Sequence, residues 1–403
     1  VVTALLAVMV VPVPTFRSVP LGIVFAVLIV LAATLTLLPA VLAGLGGRVN
    51  AGRLRMAGGI EHRSERYAAW ARRLWARPVP YGAAAVAILA VLAVGALGLR
   101  TGMPTTAVVP ADAASRAGDR LVHAAFGPGA GAPLSIVVPE GRELERAATV
   151  VARDPGIAAV AAVERSGGRA LITAIPASAP GSAGLRATLD RLRRTLPPRA
   201  LVGGAAAESR DVERALLSRL PLVLGLVVTI GFALLAAVLR SPLAAAAAVA
   251  MNVLASAAAF GVARLVFQDG ALAGPLGFES QGFVDAWAPI FFSALLFALA
   301  MDYSVFLLSA FREHRRRGDD VRAATVEALA GTGRIINAAA AVMIGVFASF
   351  ALAGPLPVKE MGVILAVGVL LDTVLVRLVL QPVILRLAAL SGGRAGVAAM
   401  AAD

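Results

Sequence analysis

The amino-acid sequence predicts a membrane α-helical bundle of about eight transmembrane segments, one of them partial, with an inserted α+β unit of ferredoxin-like type. Three observations lead there. The 403 residues are 59% hydrophobic with a mean hydropathy of +0.85, and several apolar runs are long enough to cross roughly 30 Å of hydrocarbon. Arginines gather in the gaps between these runs and Lys359 is the only lysine, so the formal charge of +13 follows membrane topology and not a nucleic-acid surface. Between residues 100 and 217 the composition changes to short apolar stretches bounded by turn signals such as DPG (154–156) and SGG (166–168).

Taken in order, residues 1–45 read as the last two helices of a first transmembrane repeat. The first is partial, VVTALLAVMVVPV; a loop, PTFRSVP, leads to a full span at 21–43. Residues 46–79 set Arg48, Arg53, Arg55, Arg63, Arg66, Arg72, Arg73 and Arg77 among Tyr67, Trp70 and Trp75. That pattern predicts a basic amphipathic linker at the cytoplasmic interface, the plainer alternative being a solvated loop. A span at 80–99 precedes the inserted unit, 100–217. After a short helix near 112–125, strands at 134–138, 157–163, 169–176 and 200–203 alternate with helices at 141–153 and 181–196. The order is βαββαβ, the split ferredoxin-like pattern. GPGAGAP (127–133) lacks the lysine and hydroxyl residue of a phosphate loop and reads as a flexible connection. Residues 218–390 form a block of five spans, at 219–239, 242–266, 287–312, 335–353 and 361–387, and 391–403 a cytoplasmic tail.

Charge orients the chain. The 46–79 segment, Arg240, the 312–334 loop and Arg394 share one side, which the positive-inside rule makes cytoplasmic; the base-poor loops 14–20, 268–286 and 354–360 fall on the other. The expected location is a multi-pass position in the cytoplasmic (plasma) membrane with residues 100–217 extracytoplasmic. There is no cysteine, which excludes disulfides and thiolate metal sites. His62, His123 and His314 lie far apart outside the apolar runs, without metal-ligand spacing. No metal or cofactor is expected. Nor is an enzyme, since no nucleophile, base and oxyanion donors converge by spacing.

The organising stretch is WAPIFFSALLFALAMDYSVFLLSAFR, 287–312, broken by Asp302. Ten residues separate Asp302 from Arg312, roughly 15 Å of helix, which puts the carboxylate near the midplane. A charge there costs about 2.5–3.5 kcal/mol, so the default reading is a functional group facing protein or a water-filled cavity; the plainer reading is a carboxylate held by a structural partner. Tyr303 adds a phenol to the same zone. Asp372 is also midway along its span and needs a partner, either for proton handling or for packing. Arg377 lies five residues on, a spacing that does not stack ideally on one α-helical face; it either pairs with Asp302 or snorkels outward. Asn252, mid-span, is expected to act as hydrogen-bond glue between helices.

An internal repeat adds to this. AVM recurs at 7–9 and 341–343, each time followed by a proline-containing loop, a glycine (Gly22, Gly362), an apolar run ending in Pro39 or Pro382, and GGR. A tandem arrangement implies that residues 1–48 are the tail of a first half whose earlier helices are absent. FALAMDYSVFLLSAFRE, GTGRIINAAAAVM and VLLDTVLVRLVLQPVIL together resemble the MMPL family of the resistance-nodulation-division superfamily, over essentially the whole chain.

The resemblance implies proton-motive-force-driven export of lipids or other hydrophobic molecules, with residues 100–217 as a porter domain. Asp302 is then the proton carrier and Tyr303 its relay partner, with protons as the coupling ion. The expected partners are membrane lipids, a hydrophobic substrate and the missing N-terminal half, not nucleic acid. Asn337 stands where the family often carries a hydroxyl residue, and either hydrogen-bonds the relay or packs. Two rivals stay open: a drug or small-hydrophobe efflux pump, and a non-transporting accessory protein of the same superfamily.

Overall fold

The computed structural model describes residues 2–50, 63–110, 112–239 and 241–391. Arg53, Arg55 and His62 of the basic linker, Arg240, and the tail from 392 with Arg394 lie outside the described residues, as does the side chain of Asp302.

The chain opens with α1 (Val2–Val8) and α2 (Thr15–Leu45), followed by α3 (Glu65–Ala76) and α4 (Pro78–Ala96). Strand β1 (Thr101–Gly102) and helix α5 (Ala114–Phe126) lead into β2 (Leu134–Pro139), α6 (Arg142–Arg153), β3 (Ile157–Ser166), β4 (Arg169–Pro176), α7 (Ala183–Thr195) and β5 (Leu201–Gly203). The last block holds α8 (Ala205–Leu239), α9 (Pro242–Ala263), α10 (Ala273–Leu276), β6 (Val284–Asp285), α11 (Ala288–Arg316), α12 (Val321–Ala351), α13 (Leu356–Leu371) and α14 (Gln381–Ser391). Two stretches wind as π-helix, Arg264–Gln268 after α9 and Asp372–Leu380 between α13 and α14. Among the described residues seven helices are long and apolar enough to cross a membrane, as the sequence predicts, while α1 has seven residues. The molecule is a multi-pass membrane helical bundle.

Three predicted loops are helical. PTFRSVP forms the start of α2, which carries both Pro20 and Pro39 inside it; membrane helices tolerate such residues because neighbouring groups re-satisfy the freed carbonyls. The 312–334 loop shrinks to four residues, since α11 continues to Arg316 and Asp320 caps α12 with its carboxylate on the Ala323 N–H at 2.6 Å. The loop around Lys359 is the first turn of α13, begun by Pro357 in a position where its missing N–H costs nothing.

The Ala288–Arg316 and Leu356–Leu387 spans are more than half buried, whereas the apolar window of α2 is 0% buried; the buried residues of α2 are Phe16 and Pro20. Helices α4 and α9 approach at Gly95 and Gly261, where a Cβ on Gly261 would lie 1.7 Å from the Leu92 carbonyl oxygen. In lipid, where no hydrophobic force drives helices together, such backbone contact supplies the attraction.

The four-stranded sheet has the order β3-β4-β2-β5 with every neighbour antiparallel. Alternate residues of β2 and β4 are buried, and Leu134, Ile136 and Ile172 pack with Leu144, Val151, Leu189 and Leu192 from α6 and α7. Ala206 and Ala207 at the start of α8 join the same core. At 35 residues, roughly 52 Å, α8 is too long for the hydrocarbon alone and runs unbroken from that core into the bundle. Asp154 closes the DPG turn by accepting the Gly156 N–H at 2.8 Å and both arms of Arg191 at 2.7 and 2.5 Å. Arg191, and then the Gly156 bond, hold the Asp154 carboxyl below the usual carboxylate range against the opposing effect of burial. The two-residue parallel ladder of β1 with β6 ties the base of this α/β unit to the segment before α11.

Candidate functional site

The five-residue spacing of Asp372 and Arg377 is resolved by local winding. In an α-helix, positions five apart point about 140° away from each other. Across Asp372–Leu380 the chain winds with i→i+5 hydrogen bonds, and the wider turn swings positions five apart towards the same side of the helix. Arg377 Nε and Nη2 then grip Asp372 Oδ2 and Oδ1, each at 3.1 Å. Arg377 therefore neither snorkels nor stands apart from Asp372.

The guanidinium gathers helices as well. Its Nη1 donates to the Ser304 hydroxyl on α11 and, at 3.2 Å, to Gln381 Oε1 on α14; its Nη2 donates to the Ala300 carbonyl on α11 and, at 3.2 Å, to Asn252 Oδ1 on α9. Arg377 is 1% exposed and Asp372 6%, and all five N–H groups of the fork have acceptors. A charge that cannot be discharged by losing a proton is thus compensated midway along the Leu356–Leu387 span. The expectation that Asn252 bonds helices together holds.

Two narrow cavities flank this pair. One is lined by Asn252, Ala300, Tyr303, Gly368 and Asp372, the other by Met251, Leu308, Val376, Arg377 and Gln381. Tyr303 therefore meets Asp372 across a cavity, and its hydroxyl also approaches Met343 Sδ on α12 at 3.7 Å. The backbone of Asp302 lies in α11 between Ala300 and Ser304, the two α11 residues that accept from Arg377.

Asn337 is placed elsewhere. Its amide donates to the Tyr67 hydroxyl on α3, whose ring covers Gly333. Arg63 adds a bidentate pair with Glu327 at 2.8 and 2.9 Å, and the Ser64 N–H donates to the Ala330 carbonyl. The basic linker accordingly docks α3 against α12, and Trp70 Nε1 donates to the Leu378 carbonyl in the π segment at 2.9 Å. No group of three or more metal-ligating side chains occurs among the described residues.

Sequence reasoning missed Ser304 and Gln381, which look like ordinary breaks in apolar runs. It also missed Asp285 and Glu360, assigned to loops but wholly buried. A polar residue inside each of several successive spans was the available signal for the first two.

The profile of the MMPL family matches residues 156–400, more than half of the chain. The chain belongs to the MMPL family. The membrane protein YdfJ of Bacillus subtilis is 31% identical over 399 residues, 96% of this chain and 55% of that protein. The heme uptake protein MmpL11 of Mycobacterium tuberculosis is 32% identical over 410 residues, 96% of this chain and 42% of the relative. The mycolic acid-containing lipids exporter MmpL11 of Mycolicibacterium smegmatis is 32% identical over 394 residues, 92% and 41% respectively. This MMPL chain spans about half the length of the curated relatives it matches. The GTGRIINAAAAVM and VLLDTVLVRLVLQPVIL stretches of the MMPL chain thus carry Asn337 and the Asp372–Arg377 pair, two contacts with different tasks.

Proposed function

We propose that this chain is part of a proton-motive-force-driven exporter of lipids or other hydrophobic molecules in the cytoplasmic membrane. The observation that carries the reading is the buried Arg377 fork, which joins α9, α11 and α14 to Asp372 at mid-span beside the turn that bears Asp302 and Tyr303. Ionisable groups at that depth mark ion pathways by default. Asp302 takes up and returns the proton, Tyr303 relays it, and Asp372 with Arg377 supplies the charged framework against which the change is felt. One proton moving through 100 mV provides about 2.3 kcal/mol, enough to bias two packings of a bundle.

The remaining parts of the reading follow. The βαββαβ order with its β3-β4-β2-β5 sheet supports a ferredoxin-like porter domain, residues 100–217, on the extracytoplasmic side. Residues 1–45 are the end of a first transmembrane repeat, 80–99 and 218–390 belong to the second, and 46–79 with 391–403 are cytoplasmic. The chain acts with the portion of its relatives' length that it does not span, transports without catalysing a reaction, and uses no cofactor besides protons. The relatives' names point to a mycolic acid-containing lipid or heme, both largely apolar.

The test is Asp302→Asn in the full-length protein reconstituted into vesicles with an imposed pH gradient. Substrate movement should cease while insertion and elution in detergent stay unchanged; undiminished transport refutes the proposal. Reporters fused near Arg316 and near Gly181 should lie on the cytoplasmic and extracytoplasmic sides, and the reverse pattern overturns the orientation.

A further inference from the structure

Two acids outside the Arg377 hub sit where the α/β unit is rooted in the bundle. Asp285 ends β6, whose neighbours Val284 and Ala286 donate backbone N–H groups to Arg100 and Gly102 at 2.9 and 2.8 Å. Its carboxylate accepts the Trp287 indole N–H at 3.0 Å, and its own backbone N–H donates to Glu360 Oε2 on α13 at 3.1 Å. Both residues are 0% exposed. Each keeps one oxygen, Asp285 Oδ1 and Glu360 Oε1, buried without a hydrogen-bond partner.

Among the described residues the surroundings supply no countercharge. Phe267, Val284, Phe292, Leu356 and Ile364 form the apolar cluster around the two acids. Lys359, the adjacent cation, turns its ammonium to the Leu276 carbonyl at 2.5 Å. Arg264 bonds the Gly95 carbonyl at 3.1 Å and pairs with Asp269 at 3.6 Å; Arg116 pairs with Glu279; Arg100 is exposed. Two bare carboxylates held together in such a setting repel each other and forfeit hydration that nothing replaces. A protonated carboxyl, by contrast, has a donor to offer a neighbouring oxygen that lacks one.

We propose that Asp285 and Glu360 form a proton-binding site, a carboxyl–carboxylate pair that retains one proton between β6 and α13. Burial pushes the Asp285 carboxyl up to about 6, against the pull of the Trp287 bond, the direction that favours proton retention. Its position gives the proton leverage. Asp285 lies three residues before α11, the helix of Asp302 and Tyr303, and in the strand that pairs with β1 at the base of the α/β unit. Glu360 lies on the helix that continues into the Asp372–Leu380 segment. Loss of the shared proton sets two negative charges against each other and loosens α13 from the β1–β6 ladder. The use of this event in transport rests on the proton-coupled reading above; the site itself does not.

Infrared titration of the full-length protein tests it. The wild type should show a protonated-carboxyl absorption at neutral pH that disappears in Glu360→Gln, a variant that keeps an acceptor for the Asp285 N–H. The remaining Asp285 titration should be displaced from its wild-type position, because no second acid shares a proton with it. Asp285→Asn should keep a protonated-carboxyl absorption from Glu360 at a shifted frequency, since the shared oxygen is gone, and elution in detergent reports on folding of each variant. An absorption and a titration unchanged in Glu360→Gln overturn the site. Asp302→Asn separates the two claims: it should keep the absorption while losing transport. Retained transport with the absorption intact sinks the transport reading and leaves the pair standing.

Discussion

The Arg377–Asp372 pair makes a quantitative prediction through a double-mutant cycle. Asp372→Asn leaves a guanidinium, 1% exposed, with neutral acceptors only: Ser304, Gln381, Asn252 and the Ala300 carbonyl. Arg377→Met leaves the Asp372 carboxylate without the two 3.1 Å bonds that hold it. Each single change strands a buried charge and should cost about 3–5 kcal/mol, on the order of 10 °C in thermal midpoint. The double variant Asp372→Asn, Arg377→Met removes both charges, and replacement of a buried pair by uncharged groups is often close to neutral. Its loss should therefore fall at least about 3 kcal/mol short of the sum of the singles. The assay is thermal unfolding in detergent followed by size-exclusion elution, alongside transport in vesicles, where all three variants should fail. Additive losses would refute the argument, because they would mean that the two charges do not compensate each other.

Other consequences are open to direct measurement. Gly261→Val should prevent α4 and α9 from meeting, since its Cβ alone would overlap the Leu92 carbonyl, and yields of folded protein in detergent should fall several-fold. Asp154→Asn should weaken the α/β unit by about 2 kcal/mol at neutral pH, read as faster hydrogen exchange over 134–203. Because the folded state holds this carboxyl below its unfolded value, the wild type keeps that contribution above roughly pH 4 and loses it as the pH falls further, whereas the variant is flat in that window. Tyr67→Phe and Asn337→Ala should each cost about 1 kcal/mol and spare transport; loss of transport in Asn337→Ala alone would return that residue to the relay. Deleting Val374 makes the Asp372 and Arg377 positions four apart, so an α-helix can pair them; the protein should fold, yet lose the Trp70 bond to Leu378 and with it the docking of α3, seen as faster exchange there.

Much of this architecture was legible in the residues. The seven full spans and the βαββαβ order follow from hydropathy, turn residues and period, signals that are local and additive. The loops that became helix share one cause: short polar stretches such as EHRR and PVKE look like breaks, although a capping Asp320 and an early Pro357 let helices start within them. The site was legible only in its members. Asp372 and Arg377 stand out as charges in oil, but their pairing depends on π winding, which leaves no mark in a hydrophobic pattern. Asn337 could not be assigned to Tyr67, 270 residues away, without the fold. Asp285 and Glu360 escaped because each borders an apolar run, and only the contact of β6 with α13 brings them together.

The connections between hub and α/β unit decide which elements can carry a mechanical signal. Helix α2 buries no residue of its apolar window against the rest of the chain. Helix α8 can carry such a signal, because one end is built into the sheet core through Ala206 and Ala207 while Leu216, Val223, Val227 and Leu235 are packed in the bundle core. Helix α11 is the second route: Ala300 and Ser304 hold Arg377, and Trp287 at its start is bonded to Asp285 in the ladder. A rearrangement of the hub that moved α11 by even part of a turn would pull on β6 and through it on β1, while α8 constrained the far side of the sheet. The α/β unit would then tilt and not translate, because one attachment is a continuous helix and the other is a two-residue ladder closed over a pair of buried acids.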